Sequence, residues 1–156
     1  MAISFDGEFT VVAPSRQVYV FLSDPRNFAP CLPTFRSLAM LDEKTATVVV
    51  GVGVGKIRGN ASVILELTTE TPPRHAGYTG RGKIMGGAFN VTTSFQLEDA
   101  EGGGTRVLWS GELDMFGKLV ALAGGLIRPI ARKDIERLIA ALQSALNAGG
   151  QMTAAG

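Results

Sequence analysis

From Ile3 to Met115 the chain alternates apolar and polar residues with period two, and from Leu119 onward its apolar residues return every three or four positions. Ile3, Phe5, Phe9 and Val11 fall on odd positions with Asp6, Glu8 and Thr10 among them, which predicts a half-buried strand ended by Pro14. Pro14, Ser15 and Arg16 open a short helix with Val18, Phe21 and Leu22 on one face. The next segment, SDPRNFAPCLPTF, is rich in proline and leaves room only for a turn or two of helix between Asp24 and Ala29. Six further strands fit Ser37–Leu41, Thr45–Gly53, Gly59–Glu70, Arg74–Lys83, Ala88–Leu97 and Thr105–Met115. The separators DEK, GKIR, TPP, IMGG and EDAEGGG are too short for crossover connections, so the strands form hairpins in an antiparallel meander.

The last third reads as one long helix. Leu119, Leu122, Leu126 and Ile130, then Ile127, Ile135, Leu138, Leu142 and Leu146, give it a broad buried face. Gly124, Gly125 and Pro129 predict a kink or short break, and Asn147, Gly149 and Gly150 predict its end. The fold class is therefore α+β: a curved seven-stranded antiparallel sheet around a long C-terminal helix, with a helical insert after the first strand. One domain spans residues 1–148, and 149–156 read as a flexible tail. Several of the 20 glycines fall inside strands, and Gly51, Gly53 and Gly55 alternate with valines, as a sharply coiling sheet requires.

Composition narrows the classes. A net charge of +1 and no recognisable motif argue against nucleic acid as a partner. One cysteine, Cys31, excludes an internal disulfide and points to a reducing cytoplasm. No apolar run reaches the ~20 residues that span a bilayer, and the N-terminus lacks the pattern of a secretory signal. GVGVGK at Gly51–Lys56 is not a phosphate loop, because Val50 stands where the first glycine is needed and Ile57 where Ser or Thr is needed. His75 reads as a surface turn residue and Cys31 as a packed thiol; the carboxylates stand singly. The sequence assigns no catalytic residue, no metal and no cofactor.

What remains is apolar material that could line a pocket: Phe28, Leu32 and Phe35 in the insert, Met85 and Phe89 at a hairpin, Trp109 and Phe116 on the last strand, and Leu119, Leu122, Leu126 and Ile130 on the helix. The helix also carries Arg128, Arg132, Lys133 and Arg137, a solvated face that could dock on anionic lipid or an acidic partner.

Three stretches carry a family likeness: SDPRNFAPCLP at Ser23–Pro33, VGVGKIRGNASVILELTTETPPRHAGYTGRGK at Val52–Lys83, and GTRVLWSGELDMFGKLVALAGGLIRPIARKDIERL at Gly104–Leu138. With them the chain resembles the helix-grip, or START-like (SRPBCC), superfamily, and within it the CoxG family, named for carbon monoxide dehydrogenase. One departure is Thr34, where the family usually has glycine after the Cys-x-Pro of the insert. The resemblance implies a curled sheet gripping the last helix over an apolar cavity roofed by the insert. It further implies a hydrophobic ligand such as an isoprenoid quinone or another lipid, and a molybdenum hydroxylase as partner, in the cytoplasm or at the inner face of the membrane. The competing readings are an assembly or membrane-recruitment factor working through the helix surface, and a cyclase-like enzyme using Tyr78, Arg81, Thr93 or Asp114.

Overall fold

A computed structural model describes residues 2–54, 57–84 and 87–155, the side chains of residues 54, 57, 122–124 and 149–155 excepted. Seven antiparallel strands form one sheet in the order β1-β7-β6-β5-β4-β3-β2. They are β1 Ala2–Val11, β2 Phe35–Met40, β3 Thr45–Val54, β4 Ile57–Thr71, β5 His75–Ile84, β6 Gly87–Asp99 and β7 Thr105–Gly117. Each strand from β2 to β6 pairs with its successor, as the short separators require. Only β1 finds a distant partner, with Ile3 opposite Leu113 and Phe9 opposite Val107.

Between β1 and β2 the chain forms α1 Ser15–Leu22, α2 Pro25–Phe28 and a 3-10 turn at Ala29–Cys31. Asp24 caps α2 by accepting from the Arg26 amide at 2.9 Å, and Pro25 occupies the first helical position, where no amide donor is needed. The start of α1 is clamped to the sheet: the Ser15 hydroxyl donates to Asp99 Oδ1 at 2.7 Å and lies 3.2 Å from Thr105 Oγ1, which donates to the Ala13 carbonyl at 2.7 Å. Ser15 and Thr105 are both buried, so this chain of hydroxyls satisfies polar groups that would otherwise cost about 1–3 kcal/mol each.

The long helix α3 runs unbroken over Lys118–Ala155 with Pro129 inside it. Of the kink or short break expected at Gly124, Gly125 and Pro129, a break is absent, and the helix span runs on through Gly149 and Gly150. At about 1.5 Å per residue its 38 residues are about 57 Å long. Tertiary packing of its apolar face outweighs the intrinsic cost of proline and glycine. Its C-terminal half is tied to the edge strand, where Gln143 donates to the Thr10 carbonyl at 3.1 Å and Asn147 Oδ1 accepts from the Val12 amide at 2.9 Å.

Candidate functional site

Strand register fixes which residues face α3. Val63, Gly82, Phe89 and Met115 form one inner row, Leu65, Gly80, Val91, Leu113 and Ile3 the next, and Leu67, Tyr78, Thr93, Gly111 and Phe5 the third. The interior behind these rows is divided. One core gathers Phe9, Val18, Tyr19, Leu22, Tyr78, Phe95, Leu142 and Leu146; the other gathers Ile3, Ala61, Ile84, Met115 and Leu119. α3 thus packs into both cores, through Leu119 at 6% exposure and Leu146 at 1%. Between the two cores, Leu65, Val91, Thr93 and Gly111 on the sheet and Ala131, Asp134 and Ile135 on the helix are only half-buried and belong to neither.

Glycine locates the open part of this stretch. Side chains of neighbours occupy the space above three inner-face glycines: Trp109 above Gly7, Leu65 and Val63 above Gly80, and Phe89 above Gly82. Gly111 differs. A Cβ there would meet nothing closer than Thr92 O and Thr93 Oγ1, both at 3.9 Å. Gly111 is thus the inner-face glycine of the sheet that no neighbouring side chain covers closely among those described.

The sequence-derived residues divide around this stretch. Phe28 and Trp109 pack against the first core, and Phe28 meets the Tyr78 ring edge-on at 5.2 Å between centroids. Phe89 and Ile130 pack against the second core, and Leu119 belongs to it. Leu32 and Phe35 are half-buried in the insert and at the start of β2. Phe116 stands on the outer face, opposite Ala88, at 44% exposure, and Leu126 is 47% exposed; neither joins the interior. Met85 and the Leu122 side chain lie outside the described residues. Sequence reasoning did not single out Val91 and Gly111, which register sets on the inner face of the sheet, nor Ala131 and Asp134, half-buried on α3.

Polar chemistry inside is sparse. Asp134 and Thr93 are the polar side chains of the open stretch, and Thr93 Oγ1 already donates to the Ser110 carbonyl at 2.9 Å. Trp109 Nε1 and the Tyr19 hydroxyl are buried without a partner among the described residues. Tyr78 donates its hydroxyl to the Leu22 carbonyl at 2.9 Å, and burial pushes its phenol well above the usual range. Burial likewise raises the Cys31 thiol, which makes it a poorer nucleophile. Arg81 and Asp114 face outward, on the row of Ile64 and Asn90. No group of His, Cys, Asp or Glu among the described residues could hold a metal.

The four helix cations do not form one strip. At about 100° per residue, Arg128 and Arg137 project from opposite sides of α3. All four are exposed, and Arg128 leans over the Phe5 ring, 5.6 Å from its centroid, at the rim of the open stretch.

A curved antiparallel sheet closed by one long C-terminal helix is the START-like arrangement, a fold suited to ligand binding. Solved structures share it: a conserved protein from Geobacillus kaustophilus (TM-score 0.81, 19% identity, 92% of this chain and 95% of that one), and a START superfamily protein from Mycobacterium smegmatis (TM-score 0.69, 12% identity, 93% and 97%). The Zhui aromatase/cyclase from Streptomyces sp. R1128 shares it too (TM-score 0.66, 16% identity, 97% and 94%). At these identities the likeness is one of fold. The sequence profile of CoxG, the G subunit of carbon monoxide dehydrogenase, matches residues 7–147, and the chain belongs to that family. No curated protein matches it.

Proposed function

We propose that the chain is a non-enzymatic carrier that holds a hydrophobic, lipid-like molecule between sheet and α3, with an isoprenoid quinone as the best-fitting class, in the service of a carbon monoxide dehydrogenase-type molybdenum hydroxylase. The observation that supports this reading is Gly111, where a Cβ would meet nothing closer than 3.9 Å on the face of the sheet that also carries Val91, Leu113 and Phe5. Covering about 400 Å² of apolar ligand surface there contributes about 10 kcal/mol gross, which offsets several kcal/mol of lost freedom. On this reading the half-buried Asp134 and Thr93 would meet the polar end of such a guest.

The family assignment supports the link to the hydroxylase, and membership of a START-like fold supports a binding role. A cyclase reading draws less support, since Arg81 and Asp114 face away and Tyr78 is already engaged. No helix among the described residues is long and apolar enough to cross a membrane, which accords with a carrier that acts from the cytoplasm and touches the bilayer peripherally. Protein purified without detergent is to be extracted with organic solvent and weighed intact by native mass spectrometry. An extractable apolar compound in stoichiometric amount is expected; protein that is empty and takes up no added quinone refutes the carrier.

A further inference from the structure

Between sheet and α3 the fold leaves two polar groups without a partner, and they are of opposite kind. One is a donor. The Trp109 ring crosses from β7 over Gly7 of β1, with Cζ2 2.8 Å and Nε1 3.2 Å from where a Cβ would stand, so a side chain there would displace the indole. Nε1 is buried and has no acceptor among the described residues. A buried tryptophan N–H usually finds one.

The other is an acceptor. Ile130 packs against the second core and Leu138 against the first, and Asp134 lies four residues from each. Four helical residues turn the side chain by about 40° beyond a full circle, so Asp134 projects between the two, toward the sheet. It is half-buried, and no donor pairs with it among the described residues.

Donor and acceptor stand at one level of the fold. α3 runs alongside β1 in the same direction, since Gln143 is tied to Thr10 and Asn147 to Val12. Strand residues advance about 3.3 Å and helical residues about 1.5 Å. Stepping back from Thr10 to Gly7 therefore takes about seven helical residues from Gln143, and stepping back to Phe5 takes about eleven. Asp134, nine back, falls between the level of Gly7, which carries the indole, and that of Phe5, which is opposite Gly111.

A hydroxyl satisfies both groups at once, accepting from the indole N–H and donating to the carboxylate. A carbonyl would meet the indole alone, an ammonium Asp134 alone, and a carboxylate head would be repelled by Asp134. We propose that the guest is recognised by a hydroxyl head held between Trp109 Nε1 and Asp134, so that within the quinone class the reduced, dihydroxy form is the preferred cargo. This rests on the carrier reading and names the head group of its ligand. A site with buried polar groups discriminates sharply between heads of similar shape, because the wrong one leaves a group unpaired.

The test is anaerobic isothermal titration calorimetry of the full chain with decylubiquinol and with decylubiquinone, which share one tail and differ in the head. The quinol should bind about thirtyfold more tightly, the gain from one hydrogen bond to a charged group. Asp134→Asn should bring the two forms within about threefold of each other, with its melting temperature unchanged. Trp109→Phe should weaken both by about fivefold and keep their ratio. In the parent, the ultraviolet Raman band of the indole N–H, from the one tryptophan of the chain, should shift on loading with quinol. Equal affinity of the parent for both forms, tighter binding of the quinone, a preference that survives Asp134→Asn, or a Raman band that does not move each overturns the proposal and leaves the carrier standing. Uptake of neither form sinks both.

Discussion

Replacing Gly111 by leucine separates a cavity from a packed core. Its backbone is not left-handed, so an L side chain fits the strand. A Cβ there has no contact closer than 3.9 Å, and on the carrier reading the carbons beyond it enter the space of the guest. On the protein side, removing a strand glycine returns about 0.5–1 kcal/mol of backbone entropy, so the variant should melt at or a few degrees above the parent temperature. On the ligand side, the four carbons displace as many of the guest; at ~0.8 kcal/mol per buried CH₂ the affinity falls by about 3 kcal/mol, roughly a hundredfold. Gly82→Leu is the control. Its Cβ would crowd Phe89 Cζ, so overpacking should cost about 1–3 kcal/mol. Differential scanning calorimetry and quantified ligand extraction read both effects. If Gly111→Leu melts several degrees lower, or keeps the parent's ligand content, there is no guest space above Gly111 and the reasoning is wrong.

Tyr78→Phe leaves the Leu22 carbonyl without its donor and should cost about 1–2 kcal/mol, measured as a shifted urea midpoint at constant slope. Pro129→Ala restores a missing helix hydrogen bond at an exposed position of α3 and should stabilise by up to about 3 kcal/mol; a lower midpoint would contradict it. The Arg74 guanidinium, with Ser15, holds the Asp99 carboxyl down at about 2, below its unfolded value near 3.9. Its stabilisation is therefore present above about pH 4 and lost as pH falls toward 2, and Asp99→Asn should flatten that acid limb of a stability-versus-pH curve.

The meander, the insert and the terminal helix were legible because short separators admit only hairpins; the pairing of β1 with β7 was not, since no local signal names its partner. Nor were the helix boundaries. Pro129 and the Gly149–Gly150 pair are strong local stop signals, yet packing of Leu119 at one end and Leu142 and Leu146 at the other carries the helix past the proline. The site was half legible. Large apolar residues stand out in a sequence, so Trp109, Phe89 and Ile130, which pack against the two cores, could be singled out, but open space is made by what is missing. Gly111 becomes informative only when register sets it opposite Thr93 and Phe5. Phe116 misled for the same reason: one step in register from Met115, it belongs to the outer face.

Pairing of β1 with β7 joins Ile3 to Leu113 across most of the polypeptide. On a ribosome adding ~5–20 residues per second, the first strand therefore waits several seconds for its only neighbour, with Phe5, Phe9 and Val11 uncovered, and α3 emerges later still. The nascent chain thus grows a sticky meander from β2 outward before its first segment can join. Chaperone demand during synthesis should track that interval, and a circular permutant that places β1 directly after β7 would shorten it.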